Sequence, residues 1–206
     1  MSSPADFAEN ETLRSIHHRH SIRMFTDQEV RDEDIRTILD AANCAPSAHN
    51  QQSWRFLILR DERKHALAEL VSHRAVDFPR SASILMRMAA RSIQGAPVVV
   101  AVANTGELIR NGAELVRVDG ELAFDFFRTM EIQSSAAAVE NLLLAATSLG
   151  IGSVWLGILF LMKREVLEFL GEPAGEFMAV VPLGYPAKTT EGPKKRPLET
   201  LVRILD

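Results

Sequence analysis

The stretch RSIHHRHSIRMF, residues 14–25, holds Arg14, His17, His18, Arg19, His20 and Arg23 in a chain whose formal net charge is −4. A general nucleic-acid binder would be basic throughout, so a basic cluster confined to one place points to a small anion. Arg19, Ser21 and Arg23 alternate, and in an extended segment their side chains would leave the same side. Two guanidinium forks with a hydroxyl between them suit a phosphate. A solvated helix end accounts for the same residues equally well. A metal site from His17, His18 and His20 is the weakest alternative, because acidic or cysteine ligands are missing nearby.

Two more segments could carry chemistry. LGIGSVWLG (149–157) has the glycines of a nucleotide loop but not its order: Trp155 stands where the dinucleotide fingerprint needs its third glycine, and the helix precedes the glycines. No GxxxxGK[ST] occurs. The glycines and Ser153 could let backbone N–H groups approach a flat ring, while Gly150 alone reads better as a helix C-cap. APSAHNQQSWRF (45–56) is a compact polar turn able to present donors at a helix end, and by itself it reads as a structural loop.

The elements that must position these residues follow from periodicity. Ile35, Ile38, Leu39 and Ala42 recur at helical spacing behind the acidic Asp32, Glu33 and Asp34. WRFLILR (54–60) reads as a buried strand, and Asp61 opens a helix carrying Leu67, Leu70 and Val71. PVVVAVA (97–103) has the valine content of a central strand. AAAVENLLLAATSLG (136–150) is a helix apolar nearly all round. IGSVWLGIL reads as a strand or extended loop, KREVLEFLG (163–171) as a short helix ending at Gly171, and FMAVVPLGY (177–185) as a last strand. The mixed order favours an α+β sandwich over regular βαβ units.

At 206 residues, without repeats or linkers, the chain is expected to be one domain, 1–206. No apolar run reaches the roughly 20 residues that cross a bilayer. The polar, acidic MSSPADFAENE is not expected to be a leader, so the expected location is cytoplasmic. Cys44 is the single cysteine, which excludes an internal disulfide and a cysteine-built metal site. It reads as a small buried thiol.

Taken together and in this order, RHSIRMF, APSAHNQQSWRF, LGIGSVWLG and GYPAKTTEGPKKRPLETLV resemble the FMN-dependent nitroreductase family. The likeness runs from about Leu13 to Val202. It implies a three-layer α-β-α sandwich with a mostly antiparallel central sheet and an intertwined homodimer with two flavins at its interface. It also implies that the tail, 186–206, packs on the partner subunit. Arg19, Ser21 and Arg23 match the family's Arg-x-Ser-x-Arg, which holds the FMN phosphate and ribityl chain, with His20 at the ring edge through its backbone. Lys194 and Arg196 match the basic pair that closes on that phosphate. Pro46, Ser47, Ala48 and Asn50 match the loop that lies against the flavin from the other subunit. Ser153, Leu156 and Gly157 belong to the stretch whose backbone N–H groups reach N5 and O4.

Two features depart from the family. Gln52-Ser53-Trp54 stands where Gln-Pro-Trp is common, and residues 104–128 match no family pattern. That region contributes a lid in the family. Phe124, Phe126 and Phe127 could stack on an aromatic substrate with Arg128 meeting an acidic one, or they could anchor the lid to the core. Tyr185 reads as structural.

The resemblance implies hydride transfer from NADH or NADPH to FMN and on to a nitroaromatic, quinone or related acceptor in ping-pong order. The flavin carries the chemistry and no side chain is expected to be catalytic. A flavin-fragmenting or reductive dehalogenase-type member would use the same contacts. A carrier or sensor without turnover, or a dimer without cofactor, are the readings from other classes. No metal, nucleic acid or membrane partner is expected.

Overall fold

The computed structural model describes residues 10–116, 120–188 and 191–205. Four strands form one antiparallel sheet in the order β1-β2-β4-β3: β1 is Trp54–Leu59, β2 Val98–Asn104, β3 Gly152–Ser153 and β4 Glu176–Gly184. Seven helices accompany them among the described residues: α1 Glu11–His18, α2 Asp32–Asn43, α3 Asp61–Arg74, α4 Arg80–Gly95, α5 Glu107–Val116, α6 Gly120–Ser148 and α7 Lys163–Leu170.

Alternation along β2 divides the interior. Val99, Ala101 and Ala103 face one layer with Leu67 and Val71 of α3, Met86 and Ile93 of α4, and Val166 of α7. Val98, Val100 and Val102 face the other with Ile35, Ile38 and Ala42 of α2 and Leu142 and Ala146 of α6. This is the period of two that a strand imposes, and it makes the α-β-α sandwich. Every residue of β2 is buried. Each large apolar side chain buried in these layers contributes about 2 kcal/mol.

Helix starts follow local chemistry. Asn10 caps α1, its side chain accepting from the Leu13 amide at 3.0 Å. The acidic first turn of α2 is held by Arg31, which forks onto Asp34 through Nε at 2.8 Å and Nη2 at 2.7 Å. That pair holds the Asp34 carboxyl below the usual carboxylate range.

Several expectations need correction. β1 is an edge strand, with Arg55 and Ile58 exposed, so WRFLILR is only partly buried. Leu57 and Leu59 pack into one core layer and Trp54 and Phe56 into the other, so the strand is covered on both faces only in part. The helix expected at 136–150 is the second half of the 29-residue α6. IGSVWLGIL contributes only the short β3 before a 3₁₀ turn at Gly157–Met162. Cys44 is exposed at the end of α2.

Candidate functional site

After α1 ends at Arg19 the chain runs extended beside the sheet. Ser21 bridges Ser153 in parallel, and the Ile22 amide donates to the Ser153 carbonyl at 2.9 Å. Phe25 bridges Pro186, with the Ala187 amide donating to the Met24 carbonyl at 3.0 Å. Ile22 turns inward over Gly152, where an added Cβ would stand 2.9 Å from the Ile22 Cβ, so this approach requires glycine. Ser21 and Arg23 turn outward. With Ile22, Met24 and Lys188 they line a cavity of about 290 Å³. Lys188 was not singled out from the sequence, because only the return of the chain along Met24 brings it to Arg23.

Arg19 takes a different direction, its Nε 3.7 Å from Glu140 Oε1 on α6. The expected common side holds only for Ser21 and Arg23: Arg19 caps the end of α1, its amide donating to the Ser15 carbonyl, and so lies before the extended segment and turns towards α6. His20 Nδ1 lies 2.8 Å from the His18 carbonyl oxygen. The tail passes close by, since a Cβ on Gly192 would be 3.0 Å from the His20 Cβ. Lys194 and Arg196 follow two and four residues later, exposed and without an ion pair among the described residues.

Ser153 is 2 % exposed and its hydroxyl has no hydrogen-bond partner among the described residues. A buried hydroxyl without a partner carries a desolvation cost of about 1–3 kcal/mol. Beyond it, the Leu156 amide donates to the Val180 carbonyl at 2.9 Å and is not free for a ligand. Gly157 is exposed and opens the 3₁₀ turn, where the first amides have no acceptor within the turn.

The Pro46–Asn50 loop lies against another part of α6. The Ala48 amide donates to Ser134 Oγ at 3.0 Å, and Ser134 Oγ donates to the Met130 carbonyl at 2.6 Å. Ser47 Oγ accepts from the Gln52 amide at 3.0 Å, and Asn50 Oδ1 accepts from Gln52 Nε2 at 3.0 Å. His49, Asn50 and Gln52 have φ of 52°, 53° and 50°, a left-handed backbone that non-glycine residues adopt only when held there. Pro46 is exposed. Ser134 and Glu140 stand six residues apart on α6, ~9 Å along the axis and about 120° around it. The loop and the basic segment therefore meet different flanks of one helix.

The described residues of 104–128 run from the end of β2 through α5 into the first turns of α6, and 117–119 lie outside the described residues. Phe127 is fully buried and packs with Leu108, Ala123, Ala48 and Met130, so it anchors these helices. Its ring presses so near Gly112 that a Cβ there would lie 2.5 Å away. Phe124 and Phe126 are exposed, and Arg128 Nε is 3.2 Å from Glu176 Oε1. Among the described residues no group of His, Cys, Asp or Glu could hold a metal ion, and no helix is long and apolar enough to cross a membrane.

The model of the nitroreductase family matches residues 16–185. The chain belongs to the nitroreductase family. A protein of Archaeoglobus fulgidus bearing the name NADH dehydrogenase/NAD(P)H nitroreductase is 36% identical over 180 residues, covering 85% of this chain and 86% of that one. The FMN reductase [NAD(P)H] of Bacillus subtilis is 27% identical over 195 residues, covering 93% of this chain and 72% of its own. A nitroreductase from Desulfovibrio desulfuricans, solved in complex with FMN, is 31% identical with a TM-score of 0.72, covering 96% of this chain and 98% of that one.

In this member of the family the sequence left three residues unmarked: the exposed Lys188 and the buried Ser134 and Glu131. Glu131 is 1 % exposed and caps α5, its Oε1 accepting from the Leu108 amide at 2.6 Å. Burial pushes its carboxyl above the usual range, with the Leu108 amide and Ser53 side chain drawing it partly back. No local signal sets it apart, since Glu121, Asp125, Arg128 and Glu140 are charged residues of the same helix.

Proposed function

We propose that the chain is an FMN-dependent NAD(P)H oxidoreductase that reduces a nitroaromatic, quinone or related acceptor. The observation that carries this is the cationic cavity of Ser21, Arg23 and Lys188 beside the unpartnered, buried Ser153 hydroxyl. That set fits a phosphate with a polar chain leading to a flat ring: cations for the dianion, hydroxyls for the ribityl and ring. When bound, FMN accepts hydride from NAD(P)H and delivers the electrons to the acceptor.

The chain's own residues bind and orient. Arg23, Lys188 and Ser21 would hold the phosphate, with Lys194 and Arg196 closing over it from the tail beside His20. Arg19, set against Glu140, supports the same charge from the α6 side. Ser153 and the Gly157 amide would face the ring, and Leu156 serves as backbone support. Phe124 and Phe126 are the exposed aromatics at the lid.

A homodimer belongs to the proposal. Pro46, Ser47, Ala48 and Asn50 lie on a flank of α6 away from the basic segment, and a second copy would bring them to it. The tail exposes Leu198, Leu201, Val202, Ile204 and Leu205, which need a surface, and the unpaired edge of β1 with Ile58 offers one. One domain, a cytoplasmic location and ping-pong kinetics complete the reading.

The test is the visible spectrum of the purified protein without oxygen, before and after NADPH and then NADH. Bleaching of the flavin band is expected, with parallel double-reciprocal lines for the acceptor. A flavin band that persists with both donors would move the assignment to a carrier or sensor. Absence of flavin even after adding FMN would overturn the cationic site.

A further inference from the structure

Four chain segments meet around Glu131 and the turn of α6 that follows it. Glu131 Oε1 takes the Leu108 amide in the first turn of α5. Its backbone carbonyl accepts from Asn104 Nδ2 at the end of β2, 3.3 Å away. Asn104 Nδ2 also donates to Ser135 Oγ at 2.8 Å, and Asn104 Oδ1 accepts from the Gly106 amide at 2.8 Å. One turn along α6, Ser134 Oγ takes the Ala48 amide. Gln51 Nε2 closes the circuit by donating to Glu107 Oε2 at 3.2 Å. Ala48 packs on Leu108, Ala123 and Phe127, so loop, α5 and α6 also share an apolar contact.

A carboxylate in this place carries a cost. Glu131 Oε2 is buried without a hydrogen-bond partner among the described residues, as is Thr105 Oγ1. An apolar residue would fill the space without that penalty. What the side chain supplies in return is a hydrogen-bond acceptor for the first turn of α5, fixed to the turn of α6 that holds Ala48.

We infer that Glu131 is a positioning residue that joins the α5 cap to the Ala48 anchor and thereby fixes the 46–52 loop in the conformation it presents to the flavin of a second copy. This rests on the proposed reading of that loop as facing the flavin. Glu131 touches neither cofactor nor substrate. It acts through Leu108 on one side and through the Ser134 turn on the other.

Amide exchange by NMR and steady-state kinetics with NADPH and 1,4-benzoquinone test this in Glu131→Ala, Glu131→Gln and Ser134→Ala. In Glu131→Ala, protection at Leu108 and Ala48 falls together by about tenfold or more, and KM for benzoquinone rises about tenfold with kcat within about threefold. Glu131→Gln keeps an acceptor for Leu108 and restores both amides and KM. Ser134→Ala opens Ala48 alone and raises KM in the same way. A Glu131→Ala protein in which Ala48 stays protected overturns the inference, as does a loss that Glu131→Gln does not recover. If Glu131→Ala fails to fold, an unchanged KM in Ser134→Ala overturns it. Should the wild-type protein bind no FMN, the flavin reading falls separately, and exchange at Ala48 still decides the linkage.

Discussion

Ile22 occupies the space that a side chain at residue 152 would need: a Cβ on Gly152 would lie 2.9 Å from the Ile22 Cβ and Cγ2 atoms. The contact seats the basic segment on the sheet and holds Ser21 opposite Ser153. Gly152→Ala is therefore expected to cost about 1–3 kcal/mol through overpacking. Thermal melting should register the loss, and FMN affinity should fall with it. A variant with unchanged melting and affinity would show that the segment shifts without consequence.

Arg23 and Arg19 should not be equivalent. Arg23 lines the cavity with Lys188, whereas Arg19 lies 3.7 Å from Glu140. Arg23→Ala and Lys188→Ala are each expected to weaken FMN binding roughly tenfold, and Arg19→Ala less. Flavin fluorescence titrations at two salt concentrations would measure this. Equal losses at Arg19 and Arg23 would contradict the division.

The pH dependence of stability has opposing contributions. Burial raises the Glu131 carboxyl above its usual value of 4.5, so the folded state holds its proton more tightly than the unfolded chain. Its contribution is complete below that value and is lost as pH rises through the folded-state value. Asp34 works in the opposite sense: Arg31 lowers it from 3.8, and its contribution is lost as pH falls through the folded-state value. Glu131→Gln is expected to remove the first slope and leave the second. Urea denaturation across the acid range would check both.

Removal of residues 198–205 should weaken self-association, since those residues expose Leu198, Leu201, Val202, Ile204 and Leu205. Sedimentation equilibrium would be expected to show a dimer in the full chain and a larger monomer fraction in the truncated one. A dimer of unchanged strength would remove the tail from the interface.

The strands were legible because β2 and β4 are buried on both faces, and 97–103 and 177–185 read as continuous apolar runs. β1 was harder, since Trp54 and Leu59 announce burial while nothing local says that no further strand pairs beyond Ile58. The first half of α6 was illegible because Glu131, Ser134 and Ser135 face the interior through partners brought from positions 48, 104 and 108. Cys44 looked apolar in sequence and is exposed because α2 ends beneath it. Likewise Lys188 joins Arg23 only through the pairing of Met24 with Ala187.

The left-handed run at His49, Asn50 and Gln52 has a kinetic side. Left alone, these residues would relax towards commoner backbone angles, and what prevents it is the grip of Ser47 on Gln52 and of Ser134 and Glu107 on the neighbouring Ala48 and Gln51. The entropy of arranging the loop is therefore lost when the chain folds, not when a ligand arrives. If a ligand enters beside the loop, as proposed, it meets a backbone already arranged, and its association is expected to be limited by encounter rather than by loop ordering.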